Sequence, residues 1–403
     1  MMKKIKVVHI INALNYGGAE VMLCSLLART DRERFESMVV ALIDVLPLAE
    51  RVEALGIPVR AIGMRPGVPD PRGVARLARL LHRERPQVVQ TWMYHSNLIG
   101  GIAARLSVLA PVVWGVHEVR AEKRTTLWTM AAGARLSRRL PARIVCCSES
   151  ARRVHEQQGY ATEKLMTIPN GFDTGAFRPD PTARFEVRRE LGVGPDTLLV
   201  GLVARYSPPK DPLNFLRAAA LLKDWCPGVH FVLCGTQMDE ANAELVSVVE
   251  AYGLRGRCHL LGTRHDMPRL TASLDLAVLS SISEAFPLAL GEALACGVPC
   301  VATNVGDSAA IIGESGRIVP PRDPQALASA CRELLELSPE ARARMGQLGR
   351  LRIQERYEMV SITRRYEDLY EALRAGSRTS GVPSSAGCGP GWAGQGKRSL
   401  SEH

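Results

Sequence analysis

Residues 275–306 read DLAVLSSISEAFPLALGEALACGVPCVATNVG, and the change of period inside this stretch decides the fold. Leu276 to Leu279 is an apolar run of strand length. A short polar loop follows and delivers Glu284, and Pro287 then opens a helix that carries Glu292 and stops at Gly297. Two carboxylates therefore leave one strand-to-helix junction. The free amides beside Pro287 form an anion site, and Glu292 lies one to two turns along the helix. This suits a ligand with a negative middle and hydroxyls at both ends, such as a nucleotide-sugar. Its diphosphate can face the helix N-terminus, its ribose hydroxyls can donate to Glu292, and its sugar hydroxyls can donate to Glu284. Spacing alone is weak evidence, because Ser281 and Glu284 also fit a capping box and a helix-face Glu is usually solvated.

The complete string says more. Glu284, Ala285-Phe286-Pro287, Glu292-Ala293-Leu294-Ala295, Gly297, Pro299 and the strand after them resemble the signature of the retaining glycosyltransferases of family 4. That resemblance implies an α/β chain of GT-B fold: two Rossmann-like doubly wound domains face each other across a cleft, and a C-terminal helix crosses back to the first. It also implies that Phe286, Pro287 and Leu288 join Glu292 on the donor and that Glu284 faces the transferred sugar.

Upstream of this stretch, Leu198 to Ala204 reads as the first strand of a second alternating series, and Arg205 and Lys210 stand directly after it. Pro208 and Pro209 stiffen the loop between them, while Asp211-Pro212 supplies an N-cap and first residue for the next helix. One such cation about 4 Å from a phosphate gains roughly 4 kcal/mol of gross attraction at an effective dielectric of 20, so the pair can offset much of the charge on a departing diphosphate. The family resemblance gives Arg205 and Lys210 that role, and gives Thr263 and Arg264 backbone contacts to the base. Further strands are expected at 229–234, 259–261 and 299–303, and helices from Pro324 and Pro339.

Toward the N-terminus, strand-like runs fall at 5–11, 37–43, 57–62, 87–92, 111–116 and 143–147, with helical patterns between them. This is the doubly wound alternation, in which ligands bind off the carboxyl ends of strands. Gly17 and Gly18 open the first helix, where glycine lets backbone approach a donor closely; a tight turn explains two glycines equally well. Tyr94, His95 and Asn97 follow the fourth strand, and His117 follows the fifth. By resemblance, His117 sits beside the transferred sugar, with Glu284 as its catalytic counterpart, and Tyr94, His95 and Asn97 lie on the acceptor side. Retention without a carboxylate nucleophile then implies same-face substitution, the leaving diphosphate taking the acceptor's proton.

The domain limits expected are 1–180 for the acceptor-side unit, 190–355 for the donor-binding unit, 356–375 for the returning helix and 376–403 for a Gly- and Ser-rich disordered tail. The returning helix places Tyr366, Leu369, Tyr370 and Leu373 on one stripe. Ten cysteines without a Cys-x-x-Cys pair read as reduced thiols rather than metal ligands. No metal or cofactor is expected, since Arg205, Lys210 and helix N-termini take the place of a cation; the donor is expected to be UDP- or GDP-linked.

Charge divides unevenly. Residues 1–170 hold 25 Lys plus Arg and 14 Asp plus Glu, and the rest of the chain holds 26 and 27, so +11 and −1 make the net +10. The excess points to an anionic partner for the first half, either a phospholipid surface or a polyprenyl-diphosphate-linked glycan acceptor. The Arg-rich segment 120–143 reads equally as an interfacial amphipathic helix or a core helix with a basic outer face. No basic motif of a nucleic-acid reader is present, and no apolar run approaches a membrane span. A cytoplasmic enzyme, peripheral on the membrane's cytoplasmic face and building cell-surface polysaccharide or glycolipid, is the expectation. Its rivals are a nucleotide-sugar-binding protein without activity and another GT-B enzyme such as a sugar-nucleotide epimerase.

Overall fold

The computed structural model describes residues 4–65, 70–119 and 124–379. Two parallel sheets organise it. The first contains β1 (Ile5–Ile11), β2 (Phe35–Ala41), β3 (Val59–Ala61), β4 (Val88–Trp92), β5 (Val112–Val116), β6 (Arg143–Cys146) and β7 (Leu165–Thr167) in the order β3-β2-β1-β4-β5-β6-β7. The second contains β8 (Leu199–Val203), β9 (His230–Cys234), β10 (Cys258–Leu260), β11 (Leu276–Leu279), β12 (Cys300–Thr303) and β13 (Gly316–Val319) in the order β10-β9-β8-β11-β12-β13. Every pairing is parallel. Strands covered by helices on both faces must be apolar throughout, and β4, β5 and β11 are buried at every residue.

Strand order reverses between β1 and β4 and again between β8 and β11, so each sheet has a topological switch point at its carboxyl end. The two ends face each other. Gly18, beyond β1, lies so near the far half that a Cβ on it would stand 3.5 Å from Leu288 Cδ1, and the Tyr16 ring lies 6.2 Å from His265.

The chain crosses between halves twice, and the crossings pair. Phe172 donates its N–H to Tyr357 O at 2.8 Å, and Met359 returns one to Phe172 O at 2.9 Å. Helix Met359–Thr379 then buries Met359, Ile362, Tyr366, Leu369 and Tyr370 in the core beneath β1 and β4. Gly376, where composition ends this helix, lies inside it; residues 380–403 of the expected tail fall outside the described residues.

Three further differences from the sequence reading have local causes. The edge strands β7 and β13 are three and four residues long, too short for an alternating signal. Pro287 is the N-cap and Leu288 the first residue of helix Leu288–Ala295, because Pro287 takes an extended ψ of 103°. The Ser281 hydroxyl caps no helix but donates to Glu284 Oε1 at 2.7 Å.

Candidate active site

Two loops from neighbouring strands build the donor side. After β8, Pro208–Lys210 forms a single 3-10 turn, and Asp211 (φ +44°) caps helix Pro212–Trp225 by accepting from Asn214 N–H at 3.2 Å. After β11 the chain runs alongside: Ile282 N–H donates to Pro209 O at 2.8 Å and Ser280 Oγ to Lys210 O at 2.9 Å. Thr303 at the end of β12 holds Ser281 O from the other side at 2.6 Å. These bonds fix Lys210 against Glu284. The ammonium meets Glu284 Oε1 at 2.6 Å, with the carboxylate side chain 9% and the lysine 24% exposed. Both bonds to Glu284 fall on Oε1.

Arg205 stays exposed at the end of β8 with no ion pair inside 4 Å among the described residues. The carboxylate that faces it comes from the other half: Glu20, in the first turn of helix Gly18–Arg29, lies within Arg205's field. Burial pushes Glu20 above the usual carboxylate range, its own N–H and Arg205 pulling it back. Gly17 is the N-cap of that helix, and the Glu20 carboxylate folds so closely over it that a side chain on Gly17 would collide. Two helix N-termini, at Gly18 and Leu288, thus converge with Arg205, Lys210 and Glu284.

Glu292 sits one turn into helix Leu288–Ala295, half-buried, its carboxylate without a hydrogen bond or ion pair among the described residues. Burial pushes its carboxyl up to about 7. A group in that state is short of donors, and two ribose hydroxyls would supply them. Behind it, Gly291 is in contact with the Phe172 ring, which stacks on Phe286 at 5.8 Å. Phe286, expected to join Glu292 on the donor, is therefore buried packing beneath the loop.

His117 follows directly after β5 in the first half. Both ring nitrogens are shut off from solvent without a hydrogen bond, and burial pushes the imidazole down to about 4, so it is neutral at working pH. The Asn170 carboxamide holds back a little of that fall without reaching hydrogen-bond geometry, and its Oδ1 is itself buried and unpartnered. The His117 ring stacks on Trp92 at 5.0 Å; Trp92 stacks in turn on Tyr366 of the returning helix at 6.1 Å and donates to His9 Nδ1 at 3.4 Å. The C-terminal helix thereby backs His117 through Trp92.

The acceptor-side residues divide. Tyr94 is buried, and its hydroxyl donates to Glu118 O at 2.8 Å and lies 2.9 Å from His155 Nε2. Asn97 is buried as well, donating to Gly115 O at 2.9 Å and accepting from Thr91 Oγ1 at 2.6 Å. Both brace the junction of β4 and β5, where Met93 takes a left-handed φ of +73°, and neither is free to meet an acceptor. His95 lies half-buried at the same helix start. Thr263 is exposed, whereas the Arg264 guanidinium is engaged by Asp266 at 2.7 Å and Glu190 at 2.5 Å and is not free for a ligand. Among the described residues, no group of three or more His, Cys, Asp or Glu is placed to hold a metal, and no helix is long and apolar enough to cross a membrane.

Paired switch points, a cation–carboxylate couple and two opposed helix N-termini define a GT-B glycosyltransferase. The chain belongs to glycosyltransferase family 4: the family described as Glycosyltransferase Family 4 matches residues 16–176, and that described as Glycosyl transferases group 1 matches residues 183–352. It is 28% identical over 260 residues to the UDP-Gal:alpha-D-GlcNAc-diphosphoundecaprenol alpha-1,3-galactosyltransferase of Escherichia coli, over 61% of this chain and 65% of that one. It is 32% identical over 209 residues to the D-inositol 3-phosphate glycosyltransferase of Mycobacterium tuberculosis, over 50% of this chain and 42% of that one. The chain thus spans less than two thirds of either relative's length. Among solved structures, Anabaena HepE in complex with UDP-glucose superposes with a TM-score of 0.81 at 24% identity, covering 91% of this chain and 99% of that one.

Sequence reasoning passes over Trp92, Asn170 and Glu20. Only Glu20 carries a local signal, since an acid three residues past a glycine N-cap reaches back over it.

Proposed function

We propose that the protein transfers a hexose-type sugar from a UDP- or GDP-linked donor to a glycan or polyprenyl-diphosphate-linked acceptor, with retention of anomeric configuration. The observation that carries this reading is the Lys210–Glu284 pair, 2.6 Å apart and held at the β8/β11 switch point beside the N-terminus of the Leu288 helix. In that reading Arg205, Lys210 and the two helix N-termini stabilise the leaving diphosphate. Glu292 accepts the ribose hydroxyls, and Glu284 Oε2, which carries neither of the internal bonds, accepts a sugar hydroxyl. His117, neutral and backed by Trp92, orients the sugar and stabilises developing positive charge through its unprotonated ring nitrogen. Glu284 is tied to Lys210 and Ser281 and is a poor nucleophile in that state, so the acceptor attacks from the face the diphosphate leaves and gives its proton to it. These residues supply the positive charge that a metal ion would otherwise bring.

The test is a screen of UDP- and GDP-sugars by thermal shift, followed by product analysis with polyprenyl-diphosphate-linked acceptors. Stabilisation by at least one nucleotide-sugar, growing with its concentration, supports the reading; no shift with any of them contradicts it. The acceptor class rests also on the printed activity of the Escherichia coli relative.

A membrane-facing role for the first half has its own observation. Helix Arg124–Leu136 buries Met130 and Gly133 but leaves Leu127 52% and Trp128 72% exposed, beside exposed Arg124, Arg135, Arg138 and Arg139. Exposed Trp and Leu among arginines is the pattern of an interfacial helix. Residues 120–123 of the same segment lie outside the described residues. Binding to anionic but not neutral vesicles, weakening with salt, is the expected outcome.

A further inference from the structure

Asp307 opens the short helix Ser308–Ile312, where an aspartate ordinarily caps its own helix, yet it makes no such bond. Its two carboxylate oxygens instead accept the backbone N–H groups of Glu149 and Ser150, each at 2.9 Å. Those amides begin helix Glu149–Gln157 of the other half, whose own cap, Ser148, satisfies only Ala151 N–H at 3.0 Å. The donor-binding half thus supplies the anion that this helix N-terminus lacks.

The contact reaches the donor loop directly. Gly306 turns with φ +55°, so tightly that a Cβ there would stand 2.5 Å from Glu284 O and 2.8 Å from Ala285 O. Asp307 N–H donates to Ala285 O at 3.3 Å, and Ser150 Oγ donates to the same carbonyl at 3.3 Å. Ala285 is the residue after Glu284. One carbonyl is therefore held from both halves, and the residue holding it from its own half also caps a helix of the other. Separating the halves would break the two Asp307 bonds and the Ser150 bond together.

We propose that Asp307 is a positioning residue for transfer: by capping the Glu149 helix across the interface it latches the halves together and sets the Glu284 loop against the acceptor side. The role in transfer rests on the reading of Glu284 given above. Asp307 touches neither diphosphate nor sugar in that reading, so its loss should separate binding from turnover.

Hydrogen exchange at the Glu149 and Ser150 amides of the full-length chain reads the latch without reference to activity. In D307A both amides should exchange about five- to thirty-fold faster, the scale of losing a helix cap, while exchange in the strands of both sheets stays unchanged. D307N keeps the shape and one acceptor oxygen, and should fall between. Turnover should drop roughly ten-fold in D307A with the Kd for nucleoside diphosphate within about three-fold, because Arg205, Lys210 and Glu292 all stay on their own half. Unchanged protection in D307A and D307N overturns the latch. Lost protection with undiminished kcat overturns its role in transfer. Lost protection in a protein whose wild type binds no nucleoside diphosphate upholds the latch and removes the donor-site reading instead.

Discussion

The two sheets end alike and use their strand ends differently. At the β8/β11 end, Arg205, Lys210, Glu284 and Glu292 present charge that is exposed, paired with one another or left without partners. At the β1/β4 end, polar residues in the equivalent places turn inward: Tyr94 and Asn97 are consumed by backbone carbonyls and by each other's neighbours. In the proposed reading the donor's diphosphate is met by this charge constellation. The first half, in the same reading, adds His117 and the helix N-terminus at Gly18 to the donor, and among its described strand-end residues Tyr94 and Asn97 are closed to an acceptor.

The comparison breaks first if charge at the donor end is dispensable. Lys210→Ala should lower kcat by about two to three orders of magnitude, the cost of losing one preorganised stabiliser of the leaving group, with the melting temperature little changed. Steady-state kinetics beside a thermal melt reads both; turnover within a few-fold of wild type would place the chemistry elsewhere.

Asn97→Ala should do the reverse. Loss of two buried hydrogen bonds should cost about 2 to 4 kcal/mol of stability, seen in denaturant unfolding, while the KM for acceptor measured on the folded fraction stays within about two-fold. A large rise in acceptor KM without loss of stability would return Asn97 to the binding surface.

Glu292 sharpens the contrast through pH. Its carboxyl stands at about 7 in the fold and would fall to its ordinary 4.5 on unfolding, so its favourable contribution is complete below 4.5 and is lost as pH rises through 7. Above 7 the ionised, buried group costs up to roughly 3 kcal/mol, and Glu292→Gln should stabilise the unliganded protein at pH 8. In the proposed reading the ribose hydroxyls are accepted by the ionised form. Affinity for an intact nucleotide-sugar should therefore rise about tenfold from pH 6 to pH 8 in the wild type and stay flat in Glu292→Gln. Titration calorimetry at the two values checks this. His117, already neutral above about 4, adds no limb to the profile in that range.

How much of this could be read beforehand follows from where the information lies. The 275–306 stretch is legible because an apolar run, a proline and a glycine punctuate it locally, and because its functional groups are near neighbours in sequence. Strand-end placement of Tyr94 and Asn97 is equally legible, but burial is not: whether a polar side chain faces a ligand or a carbonyl depends on helix Tyr94–Ser107 packing against β5 and on His155, 61 residues away. Trp92 behind His117 reads as one more core aromatic until Tyr366 is brought to it by the returning helix. Asp307 is the extreme case, a helix cap whose helix lies 157 and 158 residues earlier in the other half.

The account stands most directly on the fate of the anomeric carbon. In the proposed reading the configuration is retained; with Glu284 bound on Oε1 by Lys210 and Ser281 and no nucleophile assigned, retention comes from departure and attack on one face of the sugar. Proton NMR of the product formed from an α-linked nucleotide-sugar is the measurement. An α-linked product is the result this account predicts; a β-linked product would contradict it.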